Sequence, residues 1–159
     1  MERELAELYN KLANQIADMI PVEWDDVNYL GEVEKGGRSW SSTFYFRDVE
    51  KDEKICSGRI PITYKVSERI YLDLLLELNK ILMEIYACFV KNGQEPWEQL
   101  SLYFSGDGKF EIEFFYDVMN EKDGGQINRE VIWAYNTFGY IPGDDTFEKI
   151  LLDRYLKKQ

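Results

Sequence analysis

A chain of 159 residues with 45% hydrophobic and 15% aromatic side chains has enough apolar material for one well-formed core, is short for two domains, and is too apolar for disorder. Thirty acidic residues against 19 basic ones give a formal net charge of -11, a surface that repels nucleic-acid phosphates and anionic lipid, so no direct nucleic-acid or membrane partner is expected. The chain has no histidine and only two cysteines, Cys56 and Cys88, which excludes serine–histidine and cysteine–histidine catalysis and both histidine- and thiolate-ligated zinc.

From the N-terminus, Leu5, Leu8, Leu12, Ile16, Met19 and Ile20 recur at three- and four-residue steps, the pattern of an amphipathic helix that Pro21 stops. This stretch lacks the unbroken apolar centre of a signal peptide, and no apolar run approaches the roughly 18 residues needed to span a bilayer. A reduced, cytoplasmic, soluble protein is the simplest expectation. Residues 22–35 and 38–49 then read as two strands joined at a turn where Gly36 and Gly37 supply backbone freedom. A third, shorter strand is expected from Glu53, ending near Pro61.

The next helix is the clearest element. Ser67 is a good N-cap, Ile70, Leu74, Leu78, Ile81, Leu82, Ile85 and Phe89 form a continuous stripe, and Asn92 and Gly93 close it. Leu72, Leu76 and Met83 widen the stripe, so the helix is covered on two sides or meets another chain; monomer and homodimer both stay open. The joint that follows, Gly93-Gln-Glu-Pro96-Trp97, reads as a structural corner with Trp97 plugging the space between helix and sheet, because no nucleophile or base accompanies it. Residues 100–117 hold two alternating runs around a Gly-Asp-Gly turn, a strong hairpin signal. One face carries Leu100, Leu102, Phe104, Phe110, Ile112, Phe114 and Tyr116, the other Tyr103, Glu111, Glu113, Phe115 and Asp117. Helical spacing resumes from about Gln126 and stops at Gly139 and Pro142, and a last helix opens at Asp144–Asp145 and ends on lysines.

The order is therefore α-βββ-α-ββ-α-α. Alternating rather than continuously apolar strands imply an antiparallel sheet of about five strands, with helices mainly on one face: a two-layer α+β fold, residues 1–159 forming a single domain.

Chemistry is left to carboxylates. Asp25–Asp26 lies just before a strand and keeps a carboxylate-dependent metal enzyme open as one class, while Asp144–Asp145 is explained by helix capping. Asp107 sits in a fragment that lacks the alternating oxygen ligands of a calcium loop, and no glycine-rich phosphate loop follows any strand. No catalytic constellation, cofactor site or metal site emerges. The outer sheet face says more: Glu32, Glu34, Tyr45, Tyr103, Glu111, Glu113, Phe115 and Asp117 are candidates for one acidic and aromatic surface, suited to a basic protein partner.

The stretches Leu8–Val33, Lys91–Asp117 and Arg129–Pro142 resemble the YezG family of bacterial antitoxins, or immunity proteins. The most specific pieces are Met19–Trp24 (MIPVEW), Glu95–Trp97 (EPW) followed by the hairpin, and the pattern of Ile132, Trp133, Tyr135, Gly139 and Pro142. The resemblance implies a cytoplasmic inhibitor that binds, stoichiometrically, a toxin exported by type VII secretion, of the LXG or YeeF-like kind, whose basic C-terminal domain is a nuclease. It supplies no inhibitory residues, so the face above stands as the expected interface. Trp24, Trp97 and Trp133 read as core residues. An acidic adaptor unrelated to toxins is the alternative.

Overall fold

The computed structural model describes residues 1–159, which run α1 (Glu2–Met19), β1 (Trp24–Val33), β2 (Trp40–Asp48), β3 (Glu53–Cys56), a 3-10 turn (Ser57–Arg59), α2 (Ile60–Tyr64), α3 (Glu68–Lys91), β4 (Gln99–Ser105), β5 (Phe110–Phe115), α4 (Gln126–Phe138) and α5 (Phe147–Lys157). This is the expected α+β order with one short helix, α2, added. Residues 1–117 and 118–159 form two compact units, taken in turn below.

In the first unit the five strands make one antiparallel sheet in the order β3-β2-β1-β4-β5. The central strand β1 sends Val27, Tyr29 and Val33 to one face, where they join Phe44, Phe46, Leu100 and Leu102 in a core closed by Leu12 and Ile16 of α1 and Leu78, Leu82 and Ile85 of α3. The two helices also pack on each other. Burying this much apolar surface supplies the main driving force for the unit.

Gly31 lies on that same face, where α3 crosses the sheet. A Cβ there would sit 2.5 Å from Leu82 Cδ1 and 2.8 Å from the Tyr29 hydroxyl, which itself bonds Ser42 Oγ at 2.7 Å. Only a residue without a side chain lets the helix approach this closely.

The ends of α3 are set locally. Ser67 Oγ accepts the Ile70 N–H, and at the far end Gly93, at φ +69°, lets Gly93 N–H reach Val90 O and Gln94 N–H reach Phe89 O. That pair of bonds is a Schellman closure, which satisfies carbonyls a helix end leaves open. The chain then enters the Pro96–Trp97 corner. Trp97 is fully buried, edge-on to Tyr86 at 5.4 Å and Phe89 at 6.0 Å and tilted against Phe114 at 5.4 Å. Its indole Nε1 has no hydrogen-bond partner, so the residue acts there as a shaped hydrophobe.

Two boundaries differ from the sequence reading. The third strand stops at Cys56 rather than near Pro61, because Pro61 sits in the first turn of α2, where its fixed φ favours a helix and its missing N–H costs nothing. α2 is held down by Tyr64, whose hydroxyl donates to Asp48 Oδ2 at 2.6 Å. That bond, with the Lys51 N–H also donating to the carboxylate, holds Asp48 below the usual carboxylate range despite its burial. Asp25 and Asp26 fall inside β1, at a register shift between Trp24 and Val27 where β1 has one residue more than β2, a bulge that re-aims side chains.

In the second unit α4 and α5 pack through Val131, Leu151 and Leu152, flanked by Tyr135 and Tyr155. Gly139, at φ +70°, ends α4 as expected. Thr146, not the aspartate pair before it, caps α5, its hydroxyl accepting the Lys149 N–H at 3.2 Å. Ahead of α4, burial works against ionisation of Asp123, yet the N–H groups of Gly125 and Asn120 and the Arg129 guanidinium 3.1 Å away hold its carboxyl below the ordinary range.

Two outcomes test this architecture. Trp97→Ala should cost about 3–5 kcal/mol in denaturant unfolding, whereas Trp97→Phe should cost clearly less, since it keeps a ring and removes an unpaired buried donor. For Tyr64→Phe, the stability deficit should be flat above the unfolded aspartate pKa of about 3.9 and shrink as pH falls through the lower folded value, because only the ionised Asp48 gains from the Tyr64 bond. Urea unfolding between acid and neutral pH reads the difference; a deficit unchanged in acid would remove Asp48 as its source.

Candidate partner-binding face

The face of the sheet turned away from α1 and α3 is fixed by register. Pairing aligns Tyr45 with Asn28 and Asn28 with Tyr103, Glu32 with Gln99, and then Tyr103 with Glu111, Ser101 with Glu113 and Gln99 with Phe115. Opposed residues share a face, so Glu32, Tyr45, Tyr103, Glu111, Glu113 and Phe115 all project the same way from four neighbouring strands. Glu34 follows β1, where its backbone pairs with Ser39 and its carboxylate accepts the Ser39 hydroxyl at 3.1 Å. Asp117 follows β5 in the left-handed region, φ +56°, and forms an ion pair with Lys35.

These residues differ in access. Glu32 is 2% exposed and accepts a bond from Gln99 Nε2 at 2.8 Å, and Tyr45 is 8% exposed, so both belong to the framework of the face. Tyr103 is half-buried. Glu111, Glu113 and Asp117 are exposed, and Phe115 is 37% exposed. The accessible acidic and aromatic groups therefore cluster on the β4–β5 side. On the β2–β3 side the same face carries Arg47 and Lys54.

Lys54 is the residue that periodicity did not flag. It lies on a strand of four residues, too short to show a period, yet its Nζ donates to Asn28 Oδ1 at 2.6 Å and sits 2.9 Å from Asp26 Oδ1. Burial pulls the ammonium below its usual pKa while Asp26 opposes the shift. Asp26 Oδ2 also accepts the Tyr103 hydroxyl at 3.4 Å, and burial beside that carboxylate raises the phenol. Sequence alone gave Asp25 and Asp26 as a pair. The structure separates them: Asp26 is tied to Lys54 and Asn28's partner network, and Asp25 is exposed.

At the hairpin end of the face, Asp25, Asp26, Tyr103, Ser105, Gly106, Asp107 and Lys109 line an open cleft of about 270 Å³. Asp107 bonds the Ser105 hydroxyl, which with Lys109 holds its carboxyl below the usual range. Ser105 Oγ also accepts the Lys109 N–H at 3.2 Å, closing the turn. No three histidine, cysteine, aspartate or glutamate side chains come together as metal ligands. What this surface can do is bind cationic side chains through exposed carboxylates and give them aromatic surface to pack on.

The motif tryptophans sit as packing residues. Trp97 and Trp133 are buried, and half-buried Trp24 stands edge-on to Phe104 at 5.5 Å. Trp40 is exposed at the start of β2. No helix is long and apolar enough to cross a membrane.

The chain has relatives among known proteins. A family profile described as Immunity protein YezG-like matches residues 5–152. The chain is 36% identical over 156 residues to Immunity protein YezG of Bacillus spizizenii, covering 97% of this chain and 94% of that one. It is 30% identical over 150 residues to Immunity protein YezG of Bacillus subtilis, covering 93% and 97%, and 30% identical over 141 residues to Type VII secretion system protein EsaG of Staphylococcus aureus, covering 89% and 85%.

Proposed function

The chain belongs to the family of YezG-like immunity proteins, and from that premise we propose that it acts in the cytoplasm as a stoichiometric, non-catalytic inhibitor of a cognate nuclease toxin exported by type VII secretion. The secretion route is taken from the name of the staphylococcal relative and the nuclease from the family resemblance, and the acidic surface accords with a partner of that kind.

The observation that carries the reading is the exposed group Glu111, Glu113 and Phe115 beside Tyr103, on one side of a sheet face in a chain of net charge -11. A nuclease must attract phosphate, so its working surface is basic. An acidic protein steers towards that surface and competes with the nucleic acid for it. Carboxylates set the rate of encounter, and the aromatic groups supply contact that slows release. Glu32 and Tyr45, being buried, would hold the strands in register beneath the contact rather than touch the toxin.

Two measurements test this. Purified with the C-terminal domain of the secreted toxin encoded at the same locus, the protein should form a 1:1 complex that leaves DNA intact, and the freed toxin domain should degrade it; a partner without nuclease activity would favour the acidic-adaptor reading. The double variant Glu111→Lys/Glu113→Lys should keep its fold and lose association rate by roughly tenfold or more at low salt, with the gap narrowing as salt rises. Association kinetics unchanged at low salt would remove this side of the face as the steering surface.

A further inference from the structure

The two edges of the sheet are not equivalent. The β3 edge is four residues long, its outward-facing Lys54 is folded onto Asp26 and Asn28, and the chain leaves it directly into a helical turn. Short length and a tied-down charge are common ways to close an edge.

The β5 edge is built differently. It spans six residues, Phe110–Phe115, pairs only with β4, and keeps an unbroken register with no bulge and no proline. Its hydrogen-bond phase can be read from the ladder. Ser105 N–H donates to Lys109 O at 3.1 Å, and on the other side of β4 Val33 N–H donates to Glu98 O at 3.0 Å. Backbone groups alternate sides along a strand, so Lys109, Glu111 and Glu113 face β4. The N–H and C=O groups of Phe110, Ile112 and Phe114 point off the free edge, and no backbone group of the protein bonds them. The side chains flanking this open row are of two kinds. Phe110, 42% exposed, and half-buried Ile112 lie on the helix side, while exposed Glu111 and Glu113 lie on the outer face.

Charge selects the occupant. A second copy of β5 pairing antiparallel about Ile112 would bring Glu111 of one chain opposite Glu113 of the other, and like charges directly opposed are destabilising. A strand with lysine or arginine at alternate positions meets the opposite situation. We propose that β5 is a docking edge on which a basic extended segment of the toxin adds as a sixth strand, its cationic side chains opposite Glu111 and Glu113 and its apolar ones beside Phe110 and Ile112. Main-chain bonds to Phe110, Ile112 and Phe114 give this contact its strength, and the carboxylates give it its preference. The inference rests on the immunity reading above and specifies how that partner is held.

The test is hydrogen exchange of the full chain, alone and with the toxin domain encoded at the same locus. Free, the amides of Phe110, Ile112 and Phe114 should exchange rapidly; in the complex they should slow by about 100-fold or more. Ile112→Pro, which removes an outward N–H without breaking a bond to β4, should weaken binding at least about tenfold while far-UV circular dichroism is unchanged. A tight, inhibitory complex in which these three amides exchange as in the free protein overturns the docking edge and leaves the immunity reading standing. Failure of the toxin domain to bind the unaltered protein overturns both. Should Ile112→Pro not fold, the exchange data on the unaltered chain still decide.

Discussion

The packing of Trp97 against Tyr86, Phe89 and Phe114 holds the first unit together at the point where its two layers meet. Two of those rings belong to α3 and one to β5, so a single side chain ties the end of the long helix to the last strand of the sheet. The backbone around it is committed to the same end. Gly93 turns the chain out of α3, and on either side of Glu98 the sheet closes, with Val33 N–H donating to its carbonyl and its own N–H donating to Phe115 O at 2.9 Å. A large rigid group at this corner, together with the Leu78, Leu82 and Ile85 packing, sets the angle of α3 to β4 and β5.

From that corner the candidate face follows by geometry. The approach of α3 at Gly31 fixes which side of β1 is covered, and the two-residue period then sends Glu32, Tyr103, Glu111 and Glu113 to the opposite side without exception. A core constraint and a surface property are thus the same fact seen from two sides of one sheet. A slip of one residue in the β4–β5 pairing would bury both glutamates and expose Ile112 and Phe114, and the apolar cluster around Trp97 stands against it.

Much of this was legible in the residues themselves. Every strand long enough to alternate announced its faces, and the capping residues Ser67, Gly93 and Gly139 marked helix ends correctly. What stayed hidden was of two kinds. The short elements, β3 and α2, have too few residues to show a period, and Pro61 reads equally as the end of a strand or the start of a helix until the Tyr64–Asp48 bond settles it. The second kind is accessibility. Periodicity gives the face on which Glu32 and Tyr45 lie, but burial depends on what surrounds a position in three dimensions, and the Lys54–Asp26 pairing joins residues on strands that are not even adjacent.

Phe114 occupies two settings at once: its ring touches Trp97 in the interior, and its backbone polar groups face the open edge. Whatever grips that strand therefore also damps the local opening of the corner on which the core depends, and binding to the native state alone adds to global stability by mass action. Occupied and empty forms would then differ in lifetime. Proteases, which consume chains through their transient openings, would clear the empty form faster than the occupied one.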